Sequence, residues 1–194
     1  MRISVVGSGH VGLVSGACFA ELGHDVTLVD NDPAKYEALQ RGLCPIHEQY
    51  VPELFQRHRG TRLLFCDTLA DSAGKSEAIF IAVGTPPNIN GEADLSYVES
   101  VAREIAASIK DYKIVVGKST VPVYTSEWVR KVMLLNGAPA NLFDVASNPE
   151  FLKYRLPLPC SIPTSWCWMR LPCNCRITRS SPKLRRRPPM SRSF

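Results

Sequence analysis

The chain has no apolar run of 18 residues, no acid after Glu150, and no metal or disulfide spacing among Cys18, Cys44 and Cys66. The first absence excludes a membrane-spanning helix. The third excludes a zinc scaffold or a disulfide framework for the first two-thirds of the chain. It fits neutral thiols in a reducing cytoplasmic compartment, where we place the protein by expectation. A cleavable leader is not expected either. Met1-Arg2-Ile3-Ser4-Val5-Val6 runs straight into a glycine turn at Gly7, and cleavage would remove the strand that the turn needs.

The missing acids divide the chain. Its 194 residues carry a net charge of +5. Residues 1–153 hold 14 Lys and Arg against all 18 acids, whereas residues 154–194 hold nine basic residues and none. Those last 41 residues also contain seven of the 15 prolines and four of the seven cysteines. Two materials join near residue 153.

What is present is clearest at the start. Ile3-Ser4-Val5-Val6 reads as a strand, Gly7-Ser8-Gly9-His10-Val11-Gly12 follows it, and Val11, Val14, Cys18 and Leu22 open a helical stripe. Strand, Gly-x-Gly-x-x-Gly, helix is the context in which this motif means dinucleotide binding. Gly7 serves the tight turn, Gly9 lets backbone approach a pyrophosphate, and Gly12 lets helix and strand pack closely. The helix N-terminus adds free N–H groups and the positive end of its dipole. A second strand, Asp25-Val26-Thr27-Leu28-Val29, ends at Asp30, 18 residues past Gly12. That is the place for a carboxylate accepting from a ribose 2′-OH. Acids at both 30 and 32 repel a 2′-phosphate, so the expected cofactor is NAD and not NADP.

The pattern then alternates. Helices are expected over 33–41, 51–58, 67–75, 95–110 (with Tyr97, Val98, Val101, Ile105 and Ile109 as the apolar stripe) and 125–135. Strands are expected over 62–66, 78–83, 114–116 and 143–146. Pro33 suits a first helical turn, Asp67 an N-cap, and the unbroken run Ala78-Ile79-Phe80-Ile81-Ala82-Val83 a strand covered on both faces. This alternation predicts an α/β fold, a Rossmann-like, doubly wound and mostly parallel sheet. Ligands of such sheets lie beyond the carboxyl ends of the strands. Residues 7–12, 83–87, 118–121 and 147–150 fall at strand ends and are therefore expected on one rim. Past Lys153 the pattern stops, and 154–194 is expected to be an irregular Pro-, Arg- and Cys-rich tail.

Five segments carry a resemblance: Gly7–Gly12, Val83-Gly84-Thr85-Pro86, Ala93-Asp94-Leu95-Ser96-Tyr97-Val98, Lys118-Ser119-Thr120-Val121-Pro122 and Ser147-Asn148-Pro149-Glu150-Phe151-Leu152. In this order they resemble the UDP-glucose 6-dehydrogenases, within the UDP-glucose/GDP-mannose dehydrogenase family. Residues 1–153 are similar to that family's N-terminal NAD-binding domain. The resemblance implies oxidation of UDP-glucose to UDP-glucuronate by two NAD⁺ in two steps, with a cysteine thiolate holding the intermediate aldehyde. It places Gly7, Gly9, His10, Val11 and Gly12 at the pyrophosphate, and Asp30 and Lys35 at the adenosine ribose. Val83, Gly84, Thr85, Pro86, Ser119, Thr120 and Val121 fall at the nicotinamide. Thr120 and Glu150 become the pair that positions or activates water. Glu150, Phe151, Leu152 and Lys153 face the sugar nucleotide. Read alone, Thr120 is equally a turn residue before Pro122, and Glu150 a charge at a helix start.

The chain also departs from the family. His10 stands where the family has Tyr, and its side chain is expected to pack or cap. Tyr124 stands where the family has Gly, and Tyr154 where it has a second Glu. The helix joining the family's two domains, its substrate Lys and Asn, and its Gly-Gly-Ser-Cys loop have no counterpart among Cys160, Cys167, Cys173 and Cys175. So abrupt a break is what a change of reading frame near residue 154 is expected to leave. Arg155-Leu156-Pro157-Leu158-Pro159 can be encoded so that the next frame but one reads Ala-Ala-Val-Ala. On this reading the chain is a truncated, NAD-binding half that does not turn over alone, and its oligomeric state is not legible. The alternatives are a non-catalytic NAD-binding or interaction module with a basic tail, or a fragment acting on GDP-mannose or another nucleotide sugar. Cys173-Asn174-Cys175 lacks zinc spacing. Arg185-Arg186-Arg187, with Trp166 and Trp168 nearby, is a better case for nucleic acid than those cysteines are for zinc, but it ranks below a change of frame, and no nucleic-acid partner is expected. No metal and no membrane partner are expected.

Overall fold

The computed structural model describes residues 1–48, 50–122, 124–149 and 176–177. Strands β1 (Arg2–Val6), β2 (Asp25–Val29), β3 (Leu63–Cys66), β4 (Ala78–Ile81), β5 (Lys113–Gly117) and β6 (Phe143–Ser147) run parallel in the order β3-β2-β1-β4-β5-β6. The order reverses between β1 and β4, which is where open α/β sheets bind their ligands. Helices α1 (His10–Glu21), α2 (Pro33–Gln40), α3 (Val51–His58), α4 (Leu69–Ala73), α5 (Ser96–Ser108) and α6 (Thr125–Leu135) connect the strands.

Each face of the sheet has its own apolar core. On one, Val5, Leu13, Val26, Leu28, Phe55 and Leu63 pack between the sheet and α1–α3. On the other, Ile79, Ile81, Ile105, Met133, Phe143 and Val145 pack between the sheet and α4–α6. Coverage on both sides explains why β4 reads as an unbroken apolar run.

The expected alternation matches the strands and helices, with shifts at their ends. Asp67 does not cap α4, which runs only from Leu69 to Ala73 after Thr68. The Thr68 hydroxyl donates to Asp71 instead (2.8 Å). Tyr97 does not belong to the buried stripe of α5, because it sits in the first turn and is exposed; Val98, Val101, Ala102, Ile105 and Ala106 form that face. Leu22 lies beyond the end of α1 and is exposed too.

Lys113 reverses an ordinary expectation. It is fully buried at the start of β5, where its Nζ donates to Ser76 O (2.7 Å) and pairs with Asp111 Oδ1 (2.5 Å). Ser76 also bonds Ser4 of β1 through the two hydroxyls. This polar staple closes the amino-terminal edge of the sheet, opposite the ligand edge. Within the tail, Arg176–Ile177 forms a two-residue strand, β7, antiparallel to β6. No strand was expected there; the open edge of β6 presents unpaired backbone groups that such a segment can pair with.

Candidate functional site

The glycine turn comes first. Gly7 has φ +100° and donates its N–H to Val29 O of β2 (2.8 Å). A Cβ there would meet Ala82 O at 2.7 Å, so the turn sits hard against the end of β4. At Gly12 a Cβ would meet Gly7 O at 1.8 Å, which is why α1 can start so close to β1. At Gly9 a Cβ would meet nothing within 4 Å, and the backbone faces open space. Gly9 is the N-cap of α1, with no side-chain cap bond and no acid in the first turn. The positive end of the helix dipole is therefore left uncovered toward that space.

Asp30 is tied into this loop. Its Oδ2 accepts from Ser8 N (2.8 Å) and Ser8 Oγ (2.5 Å), and its Oδ1 from Asp32 N (3.0 Å). Burial pushes its carboxyl up, but the bonds from Ser8 and Asp32 and the Lys35 charge outweigh that and hold it below the ordinary value. Asp30 thus stays ionised and fixes the glycine turn to the end of β2. Asp32 caps α2, accepting from Ala34 N (3.0 Å), and pairs with Lys35 Nζ at 3.6 Å.

Two further loops lie at the same edge, past β4 and β5. Lys118 N and Ser119 N donate to Ile81 O (2.8 and 3.2 Å), and Ser119 Oγ donates to Val83 O (2.7 Å). Thr85 Oγ1 donates to Thr120 O (3.2 Å). These bonds clamp 83–86 and 118–121 together, with Ser119 buried and the Thr120 side chain exposed. The loop after β6 joins them through Asn148 N, which donates to Gly117 O (2.9 Å). The structure thereby brings Gly7–Gly12, Asp30, Lys35, Val83–Pro86 and Ser119–Val121 to one edge of the sheet. Glu150, Phe151, Leu152 and Lys153 lie outside the described residues.

Two features differ from the reading of the sequence. The His10 side chain, expected to pack or cap, is 55% exposed, and its Nε2 lies 3.6 Å from Glu48 Oε1. Sequence reasoning did not place Glu48, or Pro45-Ile46-His47 beside it, at the site. With Ser8, Gly9, His10 and Lys35 these residues line an open cleft of about 460 Å³ above the glycine turn. The available signal was Ile46, an apolar residue in a polar connection, which is buried and anchors the segment.

Cys18 is buried in α1, and its thiol is pushed up to about 11, by burial first and then by the charges of Glu48 and Glu21. That is a neutral thiol, not a nucleophile. Cys44 and Cys66 are free as well. Among the described residues no group of three or more His, Cys, Asp or Glu could hold a metal ion, and no helix is long and apolar enough to cross a membrane.

Comparison with known proteins covers the same region. Residues 1–155 match the UDP-glucose/GDP-mannose dehydrogenase family, NAD binding domain. A UDP-glucose 6-dehydrogenase of Rhizobium meliloti is 46% identical over 155 residues, covering 79% of this chain and 35% of that protein. Among solved structures, a UDP-glucose dehydrogenase from Pyrobaculum islandicum superposes with a TM-score of 0.71 at 39% identity, over 78% of this chain and 36% of that one. A GDP-mannose dehydrogenase from Pseudomonas aeruginosa, solved as a ternary complex, superposes at 0.75 with 36% identity, over 79% of this chain and 37% of that one. The chain spans about a third of the length of the curated relatives it matches.

Proposed function

The chain belongs to the UDP-glucose/GDP-mannose dehydrogenase family and carries its NAD-binding domain, and on that premise we propose that it is the cofactor half of an enzyme oxidising UDP-glucose to UDP-glucuronate. The observation that carries this reading is the convergence of four loops on one sheet edge, with the uncovered start of α1 at its centre. The 46% identity to a UDP-glucose 6-dehydrogenase supports the choice of sugar nucleotide.

In this reading residues 1–153 form the NAD-binding unit. The N–H groups around Gly9, His10, Val11 and Gly12 receive the pyrophosphate, and Gly7 makes the turn that presents them. Asp30, already ionised, accepts from the adenosine ribose, and Lys35 lies beside it. Thr85 and Ser119 hold Val83, Gly84, Pro86, Thr120 and Val121 as one wall for the nicotinamide. NAD⁺ supplies the hydride acceptor, and the chain's own contribution is to bind and orient it. Thr120, with Glu150 of the segment 150–153, positions the water that ends the reaction. The compartment is the cytoplasm, as the scattered free thiols argue.

NADH formation from UDP-glucose, followed by absorbance, tests the reading. The 194-residue chain alone is expected to bind NAD⁺ without turnover. Turnover is expected when the catalytic half of a relative is supplied. GDP-mannose oxidised in preference to UDP-glucose in that mixture would overturn the substrate assignment.

A further inference from the structure

The cleft above the glycine turn holds a side-chain pair with no part in the mechanism so far. His10 opens α1, half exposed, beside the open face of Gly9. Its Nε2 lies at ion-pair distance, 3.6 Å, from Glu48 Oε1. The other oxygen, Glu48 Oε2, is shielded from solvent and has no hydrogen-bond donor among the described residues. A shielded carboxylate oxygen without a donor is unfavourable unless a cation stands close to the carboxylate, and His10 is a basic side chain at ion-pair distance from it.

We infer that His10, held by Glu48, is a pyrophosphate-positioning residue of the dinucleotide site that acts as the imidazolium. The inference rests on the NAD reading above. A neutral imidazole has one N–H donor, whereas the protonated ring has two. With a pyrophosphate lying over Gly9, His10 stands between two anions, and only the protonated ring donates to both. Binding the cofactor therefore takes up a proton, and by linkage a lower pH tightens binding.

Other charged groups lie around this pair, and Glu21 and Lys118 act with Glu48 on Cys18 of the same helix. Lys35 of α2 is half exposed and engaged with Asp32, and Asp30 at the end of β2 is hydrogen-bonded by Ser8 and Asp32. The first turn of α1 has no acid. Cys18 on the same helix, pushed up to about 11, stays neutral. His47 is the second imidazole of the cleft and serves as the control. Imidazoles change charge between about pH 5 and 8, whereas the pyrophosphate of NAD⁺ is a diester without a titrating proton in that range.

The experiment is calorimetric titration of the full chain at pH 6.0 and 8.0 with NAD⁺, with ADP-ribose, which keeps the pyrophosphate, and with adenosine, which lacks it. NAD⁺ and ADP-ribose are expected to bind about 3- to 10-fold tighter at the lower pH, the range of a half-exposed charge-assisted contact. Adenosine is expected to show no such ratio. His10→Gln is expected to abolish the ratio, Glu48→Gln to reduce it, and His47→Gln to leave it. A ratio unchanged in H10Q, or one shared by adenosine, would overturn the inference while leaving the NAD site standing. Absence of NAD⁺ binding at both pH values would overturn the NAD reading itself.

Discussion

Two glycines of one loop should fail in opposite ways when each becomes alanine. At Gly12 the added Cβ would stand 1.8 Å from Gly7 O and 3.0 Å from Gly7 C. Those are backbone atoms of a turn that is itself pressed against β4, with Ala82 O in the way. Helix α1 must move outward by roughly 1.5 Å to restore an ordinary carbon–oxygen contact of about 3.3 Å. Overpacking with no flexible side chain to yield belongs at the upper end of its range, about 3 kcal/mol. For a domain of this size that lowers Tm by about 6–12 °C. At Gly9 the new Cβ would meet nothing within 4 Å, and the backbone there (φ −65°, ψ −174°) suits any residue. Stability should fall by less than about 1 kcal/mol, the cost of alanine at an N-cap. On the proposed site the methyl group would fill the space the pyrophosphate takes, so NAD⁺ affinity should drop by at least about tenfold, or ~1.4 kcal/mol. Differential scanning calorimetry with and without NAD⁺ reads both effects. A Gly12→Ala variant that melts within about 2 °C of wild type, or a Gly9→Ala variant that binds NAD⁺ as the parent does, would refute these roles.

Asp30→Asn should weaken NAD⁺ and loosen the loop, because Oδ2 loses its charge against Ser8 N–H and O–H. Since the folded state holds this carboxyl below its ordinary 3.8, the stability it lends is full above that value and drains as pH falls through the lower one. Acid melting of the variant should accordingly flatten below about pH 4, and an unchanged acid limb would contradict the assignment. Lys113→Met should cost about 1–3 kcal/mol in urea unfolding, from the donor lost to Ser76 O, and Lys113→Ala more, from the cavity; equal losses would count against a packed staple. Cys18 should resist iodoacetamide at pH 8 in mass-mapped alkylation, given its thiol near 11; rapid labelling would mean that α1 opens. The DNA encoding residues 154–194 should continue the family pattern in another frame, and no such continuation would end the frameshift explanation.

The alternation of strands and helices and the loops at the strand ends were legible because each depends on local chemistry. A glycine triplet between an apolar strand and a helical stripe can do little else, and an acid at the end of the next strand lies beside it in a parallel sheet. What was not legible depends on tertiary partners. Lys113 reads as a solvated strand end, and only the carbonyl of Ser76 and the carboxylate of Asp111 make its burial possible. Tyr97 fits the helical period but falls in the first turn of α5, outside the packed face. Glu48 sits in a polar connection whose path is fixed by the burial of Ile46, and no periodicity reports such a path. The neighbour of the His10 side chain was not legible for the same reason, since the group facing it comes from that connection.

The most direct test of the account is a calorimetric comparison of NAD⁺ and NADP⁺ on the intact 194-residue chain. Asp30, ionised and fixed beside Asp32 at the proposed ribose end, should give saturable one-to-one NAD⁺ binding and much weaker NADP⁺ binding. NADP⁺ bound as tightly as NAD⁺, or neither bound at all, would contradict it.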